Sequence, residues 1–135
     1  MKSRKSSRLR LRALPLALAA ALLVLTSGCV VVIAGAAGAG TVAYIRGGLS
    51  ATLNERYDRV IGASNEAVDK LELAKIGEAK DAFSTVITAR TAEDKKVTIK
   101  LTKEGDKTTK VQIRIGIFGD EEKSRAILEK INAGL

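Results

Sequence analysis

The chain has 135 residues with no histidine, no tryptophan and a single cysteine. A histidine-relayed serine or cysteine nucleophile and a zinc site of His and Cys ligands are therefore excluded within one chain. The formal charge of +8 suggests an acidic partner such as nucleic acid, yet only four aromatics (Tyr44, Tyr57, Phe83, Phe118) could stack on bases. Met1 to Arg12 holds Lys2, Arg4, Lys5, Arg8, Arg10 and Arg12 without an acid, and residues 13–25 are apolar throughout, with the only proline at Pro15. A basic head, an apolar stretch of 13 residues and the small residues Thr26-Ser27-Gly28 have the layout of a secretory signal peptide over residues 1–28. That stretch is shorter than the ~20 residues of a membrane-crossing helix. An uncleaved anchor would have to run on through Thr26-Ser27-Gly28 into the valines that follow. Either arrangement carries the remainder of the chain out of the cytoplasm.

The one cysteine, Cys29, closes the string Leu25-Thr26-Ser27-Gly28-Cys29. A cysteine directly behind the cut resembles the lipobox of bacterial lipoproteins, although Thr26 stands at the position three before it that is usually Leu. The resemblance implies cleavage between Gly28 and Cys29, a diacylglyceryl group on the Cys29 sulfur, and an acyl chain such as palmitate on the new amine. Val30 after the cysteine, rather than Asp, implies sorting to the outer membrane with the domain facing the periplasm. A lipidated Cys29 leaves no thiol for a disulfide or for catalysis. Cleavage also lowers 23 Lys and Arg to 17, against 15 Asp and Glu. The nearly balanced remainder calls for neither nucleic acid nor a cofactor, and the membrane is reached through the lipid.

Residues 29–48 read as a Gly/Ala-rich, membrane-proximal tether. The order Gly35-x-x-Gly38-x-Gly40 is not the G-x-G-x-x-G of a dinucleotide fold, and Thr41 stands where a phosphate-binding loop needs lysine. Small residues at four-residue spacing (Gly35 and Ala39, Ala36 and Gly40) would let helices approach closely.

Residues 49–135 read as a globular domain. Leu49 to Leu53 alternates as a short strand, and Asn54 is a suitable cap for a helix whose apolar stripe is Tyr57, Val60, Ile61, Ser64, Val68 and Leu71. Phe83 to Arg90 is β-branched and extended, with Leu73 to Asp81 an ambiguous lead into the same strand. Val97, Ile99 and Leu101, then Val111, Ile113, Ile115 and Ile117, alternate with polar residues around Gly105 as an antiparallel hairpin. Asp120 caps a second helix, Glu121 and Glu122 occupy its first turn, and Ile127, Leu128 and Ile131 form its buried stripe. The expected fold is α+β: a two-layer sandwich in the order β-α-β-β-β-α, with a four-stranded antiparallel sheet and both helices on one face. The other face would present Lys96, Thr98, Lys100, Thr102, Lys110, Gln112 and Arg114. Among these, Lys100, Lys110 and Arg114 are the candidate contacts to an anionic lipid, a cell-wall polymer or an envelope protein.

Three strings resemble an uncharacterised family of small proteobacterial lipoproteins: Gly28-Cys29-Val30-Val31-Val32, GAAGAGTVAYIRGGLSATL from Gly35 to Leu53, and IRIGIFGDEEKSRAILEKI from Ile113 to Ile131. The resemblance implies location and fold, and brings no activity. The expected function is that of a non-enzymatic envelope lipoprotein whose small domain binds another envelope component. The alternative is a ligand-binding or weakly hydrolytic domain using a groove at Asp120 and Glu121, which a concave site with converging polar groups would favour.

Overall fold

The computed structural model describes residues 39–135, so Gly28, Cys29 and the first part of the tether lie outside the described residues. The elements are β1 (Ala39–Ile45), β2 (Gly48–Leu53), α1 (Tyr57–Lys70), β3 (Ala74–Lys80), β4 (Ser84–Arg90), β5 (Lys96–Gly105), β6 (Thr108–Ile115) and α2 (Glu121–Ala133). The six strands form one antiparallel sheet in the order β1-β2-β6-β5-β4-β3. The α+β class and the helix-covered sheet agree with expectation, but the sheet has six strands rather than four.

Both additional strands are edges. β1 lies in the segment read as tether, where Gly and Ala obscure the alternation. Val42 and Tyr44 nonetheless face inward and pack on the core, opposite Ala51 and Leu49. β3 is a strand of its own rather than a lead into β4. It is exposed along its whole length, and an irregularity between Lys75 and Gly77 breaks its period of two. Its inward positions are charged: Lys75 bonds Asn65 of α1 and Glu78, and Lys80 pairs with Asp58 of α1. Inward charges and a bulge protect an edge from pairing with another chain.

The core is where the alternation is clean. Leu49, Ala51 and Leu53 of β2, Ile87 and Ala89 of β4, Val97, Ile99 and Leu101 of β5, and Val111, Ile113 and Ile115 of β6 point to one face. Against it lie Val60, Ile61, Ala67 and Val68 of α1 and Ile127, Leu128 and Ile131 of α2. Each fully buried side chain of Leu or Ile size contributes about 2 kcal/mol of transfer free energy. A buried polar bridge also crosses the layers, a 2.6 Å hydrogen bond between the Tyr57 hydroxyl and Thr85 Oγ1.

Two local expectations change. Helix α1 is preceded by Arg56, with no side-chain cap, instead of being capped by Asn54. The intervening Glu55 is held by the sheet, where its carbonyl accepts from Thr109 Oγ1, so the helix starts two residues later. β6 ends at Ile115 because Gly116 takes φ +66, which turns Ile117 out of the alternation and into solvent.

Candidate functional site

The sheet face away from the helices is bare. Its rows run Thr52–Lys110–Thr102–Ser84, then Ser50–Gln112–Lys100–Val86, then Gly48–Arg114–Thr98–Thr88. They contain Lys100, Lys110 and Arg114 and no carboxylate. Lys100 on β5 lies opposite Gln112, with Lys110 and Arg114 two residues to either side on β6. The three cations thus surround Gln112 without standing directly opposite one another, which avoids the repulsion of facing like charges. Lys100 and Arg114 are exposed and Lys110 is half-buried. None of the three has an ion-pair partner among the described residues.

Arg114 has a second task. Its guanidinium donates to the carbonyl of Arg46 at 3.3 Å and to the carbonyl of Ile117 at 2.5 Å. It therefore ties the β1–β2 turn to the segment after β6. The two backbones also meet directly: Gly47, at φ +78, and Gly119, at φ +85, leave no room for a Cβ, which would strike the Phe118 and Gly47 carbonyl oxygens respectively. Arg46-Gly47 belongs to one string of the family resemblance and Phe118-Gly119 to another, so the fold brings these two strings together at one corner. Three apolar side chains project there: Phe118 is 92% exposed, Ile117 80% and Ile45 56%. The alternating pattern that placed Ile117 in the core concealed this feature. The signal available in the sequence was the pair Gly116 and Gly119 bracketing Ile117-Phe118.

Asp120 borders an open hollow of about 430 Å³, shared with Asp94, Lys95, Lys96, Ile117 and Phe118. Its Oδ1 accepts from the Lys123 backbone N–H at 3.1 Å, the capping role expected from sequence. Glu121 is held by Arg125 at 2.7 Å and Asp94 by Arg90 at 2.7 Å. The acids at the hollow are thus engaged in capping or ion pairs. A smaller hollow of about 230 Å³ lies between Leu71, Leu73 and Ile127, with Glu93 and Lys123 at its rim. These two pair at 2.9 Å. The hydrogen bond from Lys123, with a smaller contribution from Thr91, lowers the Glu93 carboxyl from 4.5 to about 2, and Glu93 in turn raises Lys123. Among the described residues no group of three or more acidic side chains is arranged to hold a metal ion, and no helix is long and apolar enough to cross a membrane.

Fold and surface together define a small antiparallel α+β domain with one helix-covered face, one bare basic face and an apolar corner. The chain belongs to the family described as protein of unknown function DUF3568, whose model matches residues 12–134. No curated protein matches the chain.

Proposed function

We propose that the chain is a non-enzymatic lipoprotein of the proteobacterial outer membrane, anchored through Cys29, whose domain binds an anionic envelope component on the bare sheet face. The observation that carries this reading is the cluster of Lys100, Lys110 and Arg114 around Gln112, in rows without a carboxylate. An antiparallel sheet with one solvated face ordinarily mixes charges of both signs. Uncompensated cations on a face of Thr, Ser and Gln suit a polyanionic surface, which they attract over roughly a Debye length. The signal-peptide layout and the lipobox-like string ending at Cys29 support delivery to the envelope.

The test is crosslinking in intact cells with the wild type and Cys29→Ala, followed by mass spectrometry of the N-terminus and of captured molecules. The expected product begins at an acylated Cys29 and captures an envelope component, and Cys29→Ala loses both the acyl mass and the capture. An uncleaved, unmodified N-terminus overturns the lipoprotein reading. Capture that is insensitive to salt overturns the assignment of the basic face.

A further inference from the structure

We infer that the corner formed by Ile45, Ile117 and Phe118 is a membrane-docking tip that inserts into the headgroup region of an anionic bilayer. The inference rests on the proposed envelope location but concerns the corner at one end of the bare sheet face, with which it shares Arg114. An apolar cluster this exposed, with a phenylalanine at its apex, loses favourable free energy for as long as it stays in water. Its surroundings select the occupant. Arg46, Lys95, Lys96 and Arg114 ring the corner and have no ion-pair partner among the described residues. Of the nearby acids, Glu93, Asp94 and Glu121 are each paired with a cation and Asp120 caps α2, so that Glu122 alone stands there without an ion pair among the described residues, against four unpaired cations. Phe and Ile at the centre with Lys and Arg at the rim is the pattern of interfacial lipid binding: apolar groups enter the acyl boundary and cations meet anionic headgroups. The tip is also rigid, because the Gly47–Gly119 approach and both Arg114 hydrogen bonds fix its backbone. Little ordering entropy opposes docking as a result.

Chain length permits this orientation. β1 runs from Ala39 at the far end of the sheet to Ile45 at the tip, a rise of ~20 Å over seven residues. Ten Cα-to-Cα steps lead from Cys29 to Ala39, a span that reaches at most ~33 Å. An anchor at Cys29 therefore allows the tip to face the bilayer. The shorter route would instead leave the opposite end there, where Phe83 is 70% exposed in the β3–β4 turn. Phe83 stands beside Asp81 and Ala82, with no second large apolar side chain next to it in sequence.

The chain lacks tryptophan, so Phe118→Trp and Phe83→Trp each install a sole tryptophan, excitable apart from Tyr44 and Tyr57, at an exposed site without disturbing the core. The full-length chain is expressed, and the membrane-recovered product is reconstituted in phosphatidylcholine vesicles with and without phosphatidylglycerol. Expected is a blue-shifted emission for Phe118→Trp in the anionic vesicles, quenched by brominated acyl chains, with Phe83→Trp unquenched. Lys95→Gln with Lys96→Gln should lower the docking equilibrium constant roughly fivefold per charge removed. Quenching of Phe83→Trp in place of Phe118→Trp, equal quenching of both, or quenching of neither overturns the inference. A blue shift that depends on protein density rather than on brominated lipid assigns the tip to a second copy of the chain, and overturns it as well. Intact mass of the same sample reports acylation of Cys29 separately, so failure of the lipoprotein reading is distinguishable from failure of the tip.

Discussion

Gly47 and Gly119 do different work from the other glycines of the domain. Both have positive φ and both backbones occupy the space a Cβ would take. Gly47→Ala combines strain with a steric clash, and each is worth about 1–3 kcal/mol. Its expected effect is a stability loss of about 3 kcal/mol, read as a lower urea midpoint at unchanged slope. Gly62 sits inside α1 with nothing within 4 Å of a Cβ. Gly62→Ala should therefore stabilise by about 0.5–1 kcal/mol in the same titration, through helix propensity alone. An unchanged midpoint for Gly47→Ala would mean that the corner yields without cost. Single residues were legible in the sequence where their role is local. Asp120 caps α2 as expected because a cap needs only its own helix start, whereas Asn54 does not cap α1 because Glu55, its neighbour, answers to β6 across the sheet. Arg114 was legible as an exposed cation but not as a strut, since its acceptors at Arg46 and Ile117 are set by tertiary structure.

The β5–β6 hairpin and the stripes of both helices were readable because burial imposes a strict period on them. β1 and β3 were not, since an edge strand pairs on one side only and can keep mixed or charged residues on either face. Charged connections between elements are also invisible to periodicity. Lys123 of α2 and Glu93 of the β4–β5 loop form one of them. Because the Glu93 carboxyl is depressed to about 2 in the folded chain, the pair stabilises the fold above the ordinary value of 4.5. That contribution disappears as pH falls through 2, where the carboxyl is protonated in folded and unfolded chains alike. Glu93→Gln should lower Tm slightly at pH 7, by the small amount typical of exposed pairs. The difference from wild type should narrow between pH 4.5 and pH 2 and then close. A Tm difference that persisted at pH 2 would show that the substitution acts through packing of the loop rather than through the charge.

At the scale of the whole molecule, charge is divided between the layers. α1 carries Asp58, Glu66 and Asp69 with Arg59 and Lys70, and α2 carries three acids with three bases, so the helical layer is close to neutral. The bare sheet face carries cations alone in its central rows. This polarity does not depend on the basic N-terminal segment, which accounts for most of the formal +8. It also separates two roles that sequence had joined. Lys100 and Lys110 make no hydrogen bond to another described residue through their side chains, so Lys100→Glu with Lys110→Glu reverses the field of the face without removing a support of the fold. Surface substitutions of that kind stay within about 0.5 kcal/mol of wild-type stability. Arg114→Ala removes one cation and both hydrogen bonds that tie the β1–β2 turn to Ile117, and its expected cost is about 1–3 kcal/mol. Were the bare face the binding surface, the Lys100/Lys110 double variant would lose capture of an anionic envelope component at an unchanged urea midpoint, and the residual binding would no longer weaken with salt. Arg114→Ala would lower binding and stability together. Equal capture by the double variant and the wild type would remove the sheet face from the binding surface and leave the corner at Ile45, Ile117 and Phe118 as the part of the domain that meets the envelope.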